Sequence, residues 1–151
     1  MYNFLFLLCE FVWVLRVNSR EIGVGQFINF SVKIYKIYYS AITNKICLTA
    51  NFREVTESAL HNYVPEFKET MFEITENGTQ KNYMIKAYVQ GKYLDDNVTT
   101  ERDGFKFGKE DDIYSDLSER QIMKTTSLII KKYFSDDIEK LVSAFAELIS
   151  K

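Results

Sequence analysis

The chain has 151 residues, 46% of them hydrophobic, and its 19 basic and 21 acidic side chains leave a formal charge of -2. That is the size of one ordinary domain with enough apolar content for a core, which excludes a disordered chain. So balanced a charge also excludes a global field that would gather nucleic acid or anionic lipid, and neither is an expected partner. Cys9 and Cys47 are too few for a disulfide framework and have no clustered Cys or His for zinc, so the expected setting is reducing and cytoplasmic.

From Phe4 to Val17 the residues are apolar except Cys9, Glu10 and Arg16, a run shorter than the ~20 residues of a membrane span. It lacks the basic start of a secretory signal, although Asn-x-Ser/Thr sequons at Asn29, Asn77 and Asn97 leave export as an alternative. We read it as a buried strand or helix. Gly23 and Gly25 among polar neighbours mark Ser19 to Gln26 as a connector. Residues 1–30 therefore form an apolar segment with its connector, and residues 31–151 the main domain.

Alternation from Val32 to Tyr39, turn chemistry at Thr43-Asn44 and an apolar run from Ile46 to Ala50 predict a hairpin. Thr56, Glu57 and Ser58 read as helix-start residues ahead of Ala59, Leu60 and Tyr63. With Pro65 opening a second piece, they predict one broken helix or two short ones over about Thr56 to Glu73. Asn77-Gly78 then turns the chain into a strand of period two, with Tyr83, Ile85, Ala87 and Val89 on one face. A charged loop follows from Tyr93 to Phe107, closing on a short strand Phe105-Lys106-Phe107, and Gly108 to Asp112 reads as a solvated connector. Ser118-x-x-Gln121 is a capping box for a helix to about Tyr133. Ser135-Asp136 caps another, with Ile138, Leu141, Val142, Phe145, Leu148 and Ile149 at helical spacing. The expected fold class is α+β, a split βαβ-type sheet covered by helices on one face.

Two stretches carry a resemblance. Leu48-Thr-Ala-Asn51-Phe-Arg53-Glu-Val55, followed after four intervening residues by Leu60, and Asn97-Val98-Thr-Thr-Glu-Arg102-Asp-Gly-Phe105-Lys106-Phe107 resemble, in this order, the MutL-type motifs F-V-N-G-R-x-V and N-V-H-P-T-K-x-E-V-R-F. These belong to the transducer domain of the gyrase, heat-shock chaperone, histidine kinase and MutL (GHKL) ATPase superfamily, and the likeness covers about Val32 to Tyr133. It implies a module that packs against a nucleotide-binding domain and couples ATP binding and hydrolysis to domain movement. Arg102 stands where the family offers a basic residue to the γ-phosphate, while Asn51, Arg53 and Asn97 shape the loops around it. Two departures are plain: Arg replaces the usual Lys, and Thr99-Thr100 replaces His-Pro.

Met1 to Phe30 contains none of the family's Asn, Glu, Asp and Gly motifs for magnesium and nucleotide. The resemblance therefore implies a chain that is no ATPase alone, with ATP and Mg held by a GHKL-type nucleotide-binding domain in cis or trans, and it allows a homodimer. A second reading is a non-enzymatic interaction domain that docks through its apolar N-terminal segment. His61, the single histidine, reads as an ordinary helix residue, and Asp95-Asp96 and Glu110-Asp111-Asp112 as solvated connectors, not cation sites. No metal site is expected.

Overall fold

A computed structural model describes residues 8–18, 27–38, 43–106 and 118–150. The strands are β1 (Leu8–Asn18), β2 (Phe27–Tyr38), β3 (Lys45–Ala50), β4 (Arg53–Ala59), β5 (Met71–Ile74) and β6 (Gln80–Gln90). The helices are α1 (Lys92–Asn97), α2 (Glu119–Tyr133) and α3 (Ser135–Ile149), and two 3-10 turns, Leu60–Asn62 and Pro65–Lys68, lie between β4 and β5. One six-stranded sheet has the order β1-β2-β6-β3-β4, with β5 also on β6. The class is α+β, as expected.

The strand with the strongest period-two signal is the centre of this sheet. Tyr83, Ile85, Ala87 and Val89 of β6 are buried, and the residues between them are only half-buried. Antiparallel β2 runs along one side, pairing Ser31 with Gln90 and Tyr38 with Tyr83. The other side is shared: β5 pairs antiparallel over Gln80 to Tyr83, and β3 pairs parallel over Lys86 to Val89. Phe30, Val32 and Ile34 of β2 and Ile46 and Leu48 of β3 form one core with the β6 row, and Ile122, Met123 and Ile130 of α2, Phe134 at the junction of the two helices, and Ile138 and Leu141 of α3 join it.

Two expectations are corrected. Val32–Tyr39 and Ile46–Ala50 do not pair as a hairpin, because β6 lies between β2 and β3. Nor is Thr56 to Glu73 helical. Arg53–Ala59 is an edge strand on β3, and the rest is two 3-10 turns and the start of β5. Thr56, Glu57 and Ser58 are tolerated there because pairing with Leu48, Cys47 and Ile46 satisfies their backbone, which the local pattern cannot report. The crossover from β3 to parallel β6 is therefore built from β4, the 3-10 turns and β5, with no α-helix. The connector Ser19 to Gln26, the acidic stretch Gly108 to Asp112 and Phe107 lie outside the described residues. The boundary set at residue 30 falls inside β2, whose partner β1 continues the same sheet.

The start of α2 follows the sequence closely. The Ser118 side chain accepts from Gln121 N–H at 3.2 Å, and the Gln121 side chain accepts from Ser118 N–H at 3.0 Å, a complete capping box for α2. Ser135, read as a cap, is instead the first residue of α3, and no side chain caps that helix. The described helices include none long and apolar enough to cross a membrane.

Where β5 ends and β3 begins, β6 would be left without a partner. Asn44, 1% exposed, fills the gap: its Oδ1 accepts from Ile85 N–H at 2.7 Å and its Nδ2 donates to the carbonyls of Phe67 at 2.8 Å and Glu69 at 3.2 Å. Its own carbonyl accepts from Leu60 N–H at 2.9 Å. Removing the side chain orphans a buried donor and a buried acceptor together. Asn44→Ala should therefore cost about 3 kcal/mol or more of stability, read as a lower urea midpoint.

Candidate functional site

The two resembling stretches meet at one end of the sheet. Ala50 pairs with Arg53, so Asn51 and Phe52 form the two-residue turn of the β3–β4 hairpin. Their φ angles, 50° and 65°, are both in the left-handed region that a type I′ turn requires. Asn suits the first position because its short polar side chain tolerates that conformation. Phe at the second does not, and the ring is 91% exposed, so no packing compensates the strain.

The second stretch folds against this turn. α1 ends at Asn97, whose side chain donates to Tyr93 O at 2.7 Å and whose carbonyl accepts from Lys106 N–H at 2.6 Å. Val98 bridges Phe105, Arg102 N–H donates to Thr99 O at 3.0 Å, and Thr99 Oγ1 donates to Asp103 at 2.7 Å. The expected charged loop is thus, over its described residues, a short helix and a closed tight turn.

Arg102 is a third residue with left-handed backbone, at φ 60°, and its guanidinium turns back to donate to Ala50 O at 2.5 Å. Asp95 Oδ1 accepts from Asn51 N–H at 2.8 Å. Two links therefore hold the Asn51-Phe52 turn onto the α1 region. Arg53 is exposed at the start of β4. Beside the turn, Phe30, Phe52, Gln90, Gly91, Lys92 and Asp95 border an open depression of about 280 Å³. The sequence singled out Asn51, Arg53, Asn97 and Arg102 but missed Phe52. An aromatic in the second turn position, where glycine belongs, was the available signal.

At the opposite end, Lys36 takes a core-facing position in β2 and bonds Glu73 at 2.6 Å, while Tyr38 donates to the same carboxylate at 2.7 Å. The Lys36 ammonium also sits 4.6 Å from the Tyr83 ring centre, and the Tyr83 hydroxyl donates to Asp137 at the start of α3. Burial, with Asp137 beside it, pushes the Tyr83 hydroxyl well above its usual range, so it stays a protonated structural donor.

On the half-buried face, Cys47, Glu54 and Glu57 bring their ligand atoms within 4.8 Å of one another. Lys86 lies 2.9 Å from Glu54, and Lys45 lies 3.4 Å from Glu57. Hydrogen bonding to Lys86 holds Glu54 below its ordinary range, and burial, with Glu54 nearby, pushes the Cys47 thiol up to about 11. A protonated thiol and carboxylates already matched by ammonium groups suit an ion-pair cluster and fit a metal poorly. His61 sits half-buried in the first 3-10 turn, away from this trio.

Two consequences are measurable. Burial alone would raise the Glu73 carboxyl, but the Lys36 and Tyr38 bonds outweigh it and hold the group low. Held low, it contributes stability that is fully present above the unfolded value of about 4.3 and is lost as pH falls through the folded value. Glu73→Gln should be less stable than the parent at neutral pH, with the gap narrowing below about pH 4; urea titrations showing a gap constant with pH would contradict the assignment. Phe52→Gly should instead raise stability by about 0.5–1 kcal/mol, since it relieves the turn and removes no buried contact, and the same titrations read it.

No protein-family model, curated protein or solved structure matches this chain, so the transducer likeness rests on its two stretches alone.

Proposed function

We propose that the chain is a non-enzymatic coupling module that seats the Phe52 end of its sheet against a partner domain. The observation that carries this reading is Phe52 itself, a ring 91% exposed on a backbone of positive φ. Strain kept where no packing offsets it points to selection for something outside the chain's own stability. The partner that the resemblance supplies is a GHKL-type nucleotide-binding domain holding ATP and Mg, with this chain contributing no nucleotide pocket of its own. The free, buried Cys47 suits a reducing cytoplasm.

Arg102 has a defined part in this reading. Its guanidinium donates one hydrogen bond to Ala50 O and so holds the Asn51-Phe52 turn, and a γ-phosphate would compete with that carbonyl for the donor. A charged acceptor competes well for an arginine against a neutral one. Exchange of Ala50 for phosphate would free the turn and convert nucleotide state into movement at Phe52.

The test mixes the purified chain with a GHKL-type nucleotide-binding domain from the same genome and follows association by calorimetry, with and without a non-hydrolysable ATP analogue. Association is expected to be tighter with the analogue, Phe52→Gly to weaken it roughly tenfold or more, and Arg102→Ala to abolish the nucleotide dependence. Absence of association under both conditions, or association indifferent to Phe52→Gly, would remove the proposal.

A further inference from the structure

The two outer strands of the sheet are built differently. Among the described residues β4 neighbours only β3, and β1 only β2. β4 is seven residues long, carries Arg53, Glu54 and Glu57, and its ladder with β3 slips between Leu48 and Thr49. Charges and an irregularity of this kind are what keep a sheet edge from pairing with another chain. β1 lacks the irregularity and is less charged for its length. It is eleven residues long, pairs with β2 in unbroken register from Leu8 to Asn18, contains no Pro, Gly or Lys, and is apolar except at Glu10, Arg16 and Asn18.

The two charges of β1 are placed in a self-complementary pattern. In β2 the residue directly across from Glu10 is Tyr35, and the one across from Arg16 is Asn29. Glu10 and Arg16 stand symmetrically about Trp13, the middle residue of the strand. Antiparallel pairing of β1 with β1 of a second copy, centred on Trp13, sets Glu10 of each chain opposite Arg16 of the other. The same register sets Phe11 opposite Leu15, Val12 opposite Val14, and Leu8 opposite Asn18, using the whole strand with no overhang. Opposite charges directly across an antiparallel pair favour that register, and a shift by one pair of residues forfeits both contacts.

We infer that β1 is a self-association edge through which two copies of this chain join their sheets, antiparallel and in the register centred on Trp13. β2 and β6 separate β1 from the strand that carries the Phe52 turn, so this pairing does not depend on a partner at Phe52.

Sedimentation of the full chain over a dilution series tests it. The parent is expected to dimerise. Glu10→Arg and Arg16→Glu should each weaken the dimer roughly tenfold or more, because each places like charges opposite one another twice, and the double exchange should restore it. Circular dichroism melts establish that each variant is folded. Should a charge variant fail to fold, disulfide trapping in a Cys9→Ser background still reads the register: mixed Val12→Cys and Val14→Cys chains should cross-link, and neither alone should. A parent monomeric at every concentration, a dimer unaffected by both single exchanges, a double exchange that fails to restore it, or cross-linking of Val12→Cys with itself would each overturn the inference.

Discussion

Asn44 holds together the one place where the sheet is discontinuous. β6 has two successive partners on a single side, β5 and then β3, and between them its backbone would face the core unpaired. An amide side chain both accepts and donates, so one residue satisfies Ile85 on β6 and the carbonyls of Phe67 and Glu69 on the crossover. An apolar residue of the same size would pack and leave all three groups unmet. The placement of the 3-10 turns, and hence of β4 and its terminal turn, follows from this junction.

Charge within the sheet serves cohesion. Lys36 occupies a position that would ordinarily hold an apolar side chain, and it is accommodated because Glu73, Tyr38 and the rings of Tyr83 and Phe134 surround it. The ion pair spans β2 and β5, which are joined only through β6. On the other face Lys86 on β6 and Glu54 on β4 meet across β3, beside the Cys47 thiol. In each case an ammonium and a carboxylate tie together strands that share no backbone hydrogen bonds.

The parts of this fold that were legible in the sequence are those whose cause is local. β6 announced itself because its two faces differ in polarity, and α2 because its cap and its apolar spacing coincide. β4 was misread since Thr56, Glu57 and Ser58 serve helix starts and edge strands alike, and only its pairing with β3 decides between them. The hairpin assigned to Val32–Ala50 failed for a related reason: neighbours in sequence usually pair, yet here β6 inserts between the two, antiparallel to β2 and parallel to β3. At the candidate site, Asn51, Arg53, Asn97 and Arg102 were identified and their convergence at one end of the sheet was not, because it depends on Arg102 reaching Ala50 across the sheet's edge. Phe52 was hidden by its chemistry, since an aromatic between two polar residues reads as core.

The parallel pairing of β3 with β6 has a consequence for synthesis. β1 with β2 and β3 with β4 are each local enough to form as soon as they leave the ribosome, but the strand that unites them is complete only at Gln90. During the seconds needed to make the intervening stretch, at roughly 5–20 residues per second, β2 and β3 each present an apolar margin with no occupant. Neither strand has its native neighbour at that margin until residues 80–90 have been made, so the sheet closes only after that stretch is synthesised.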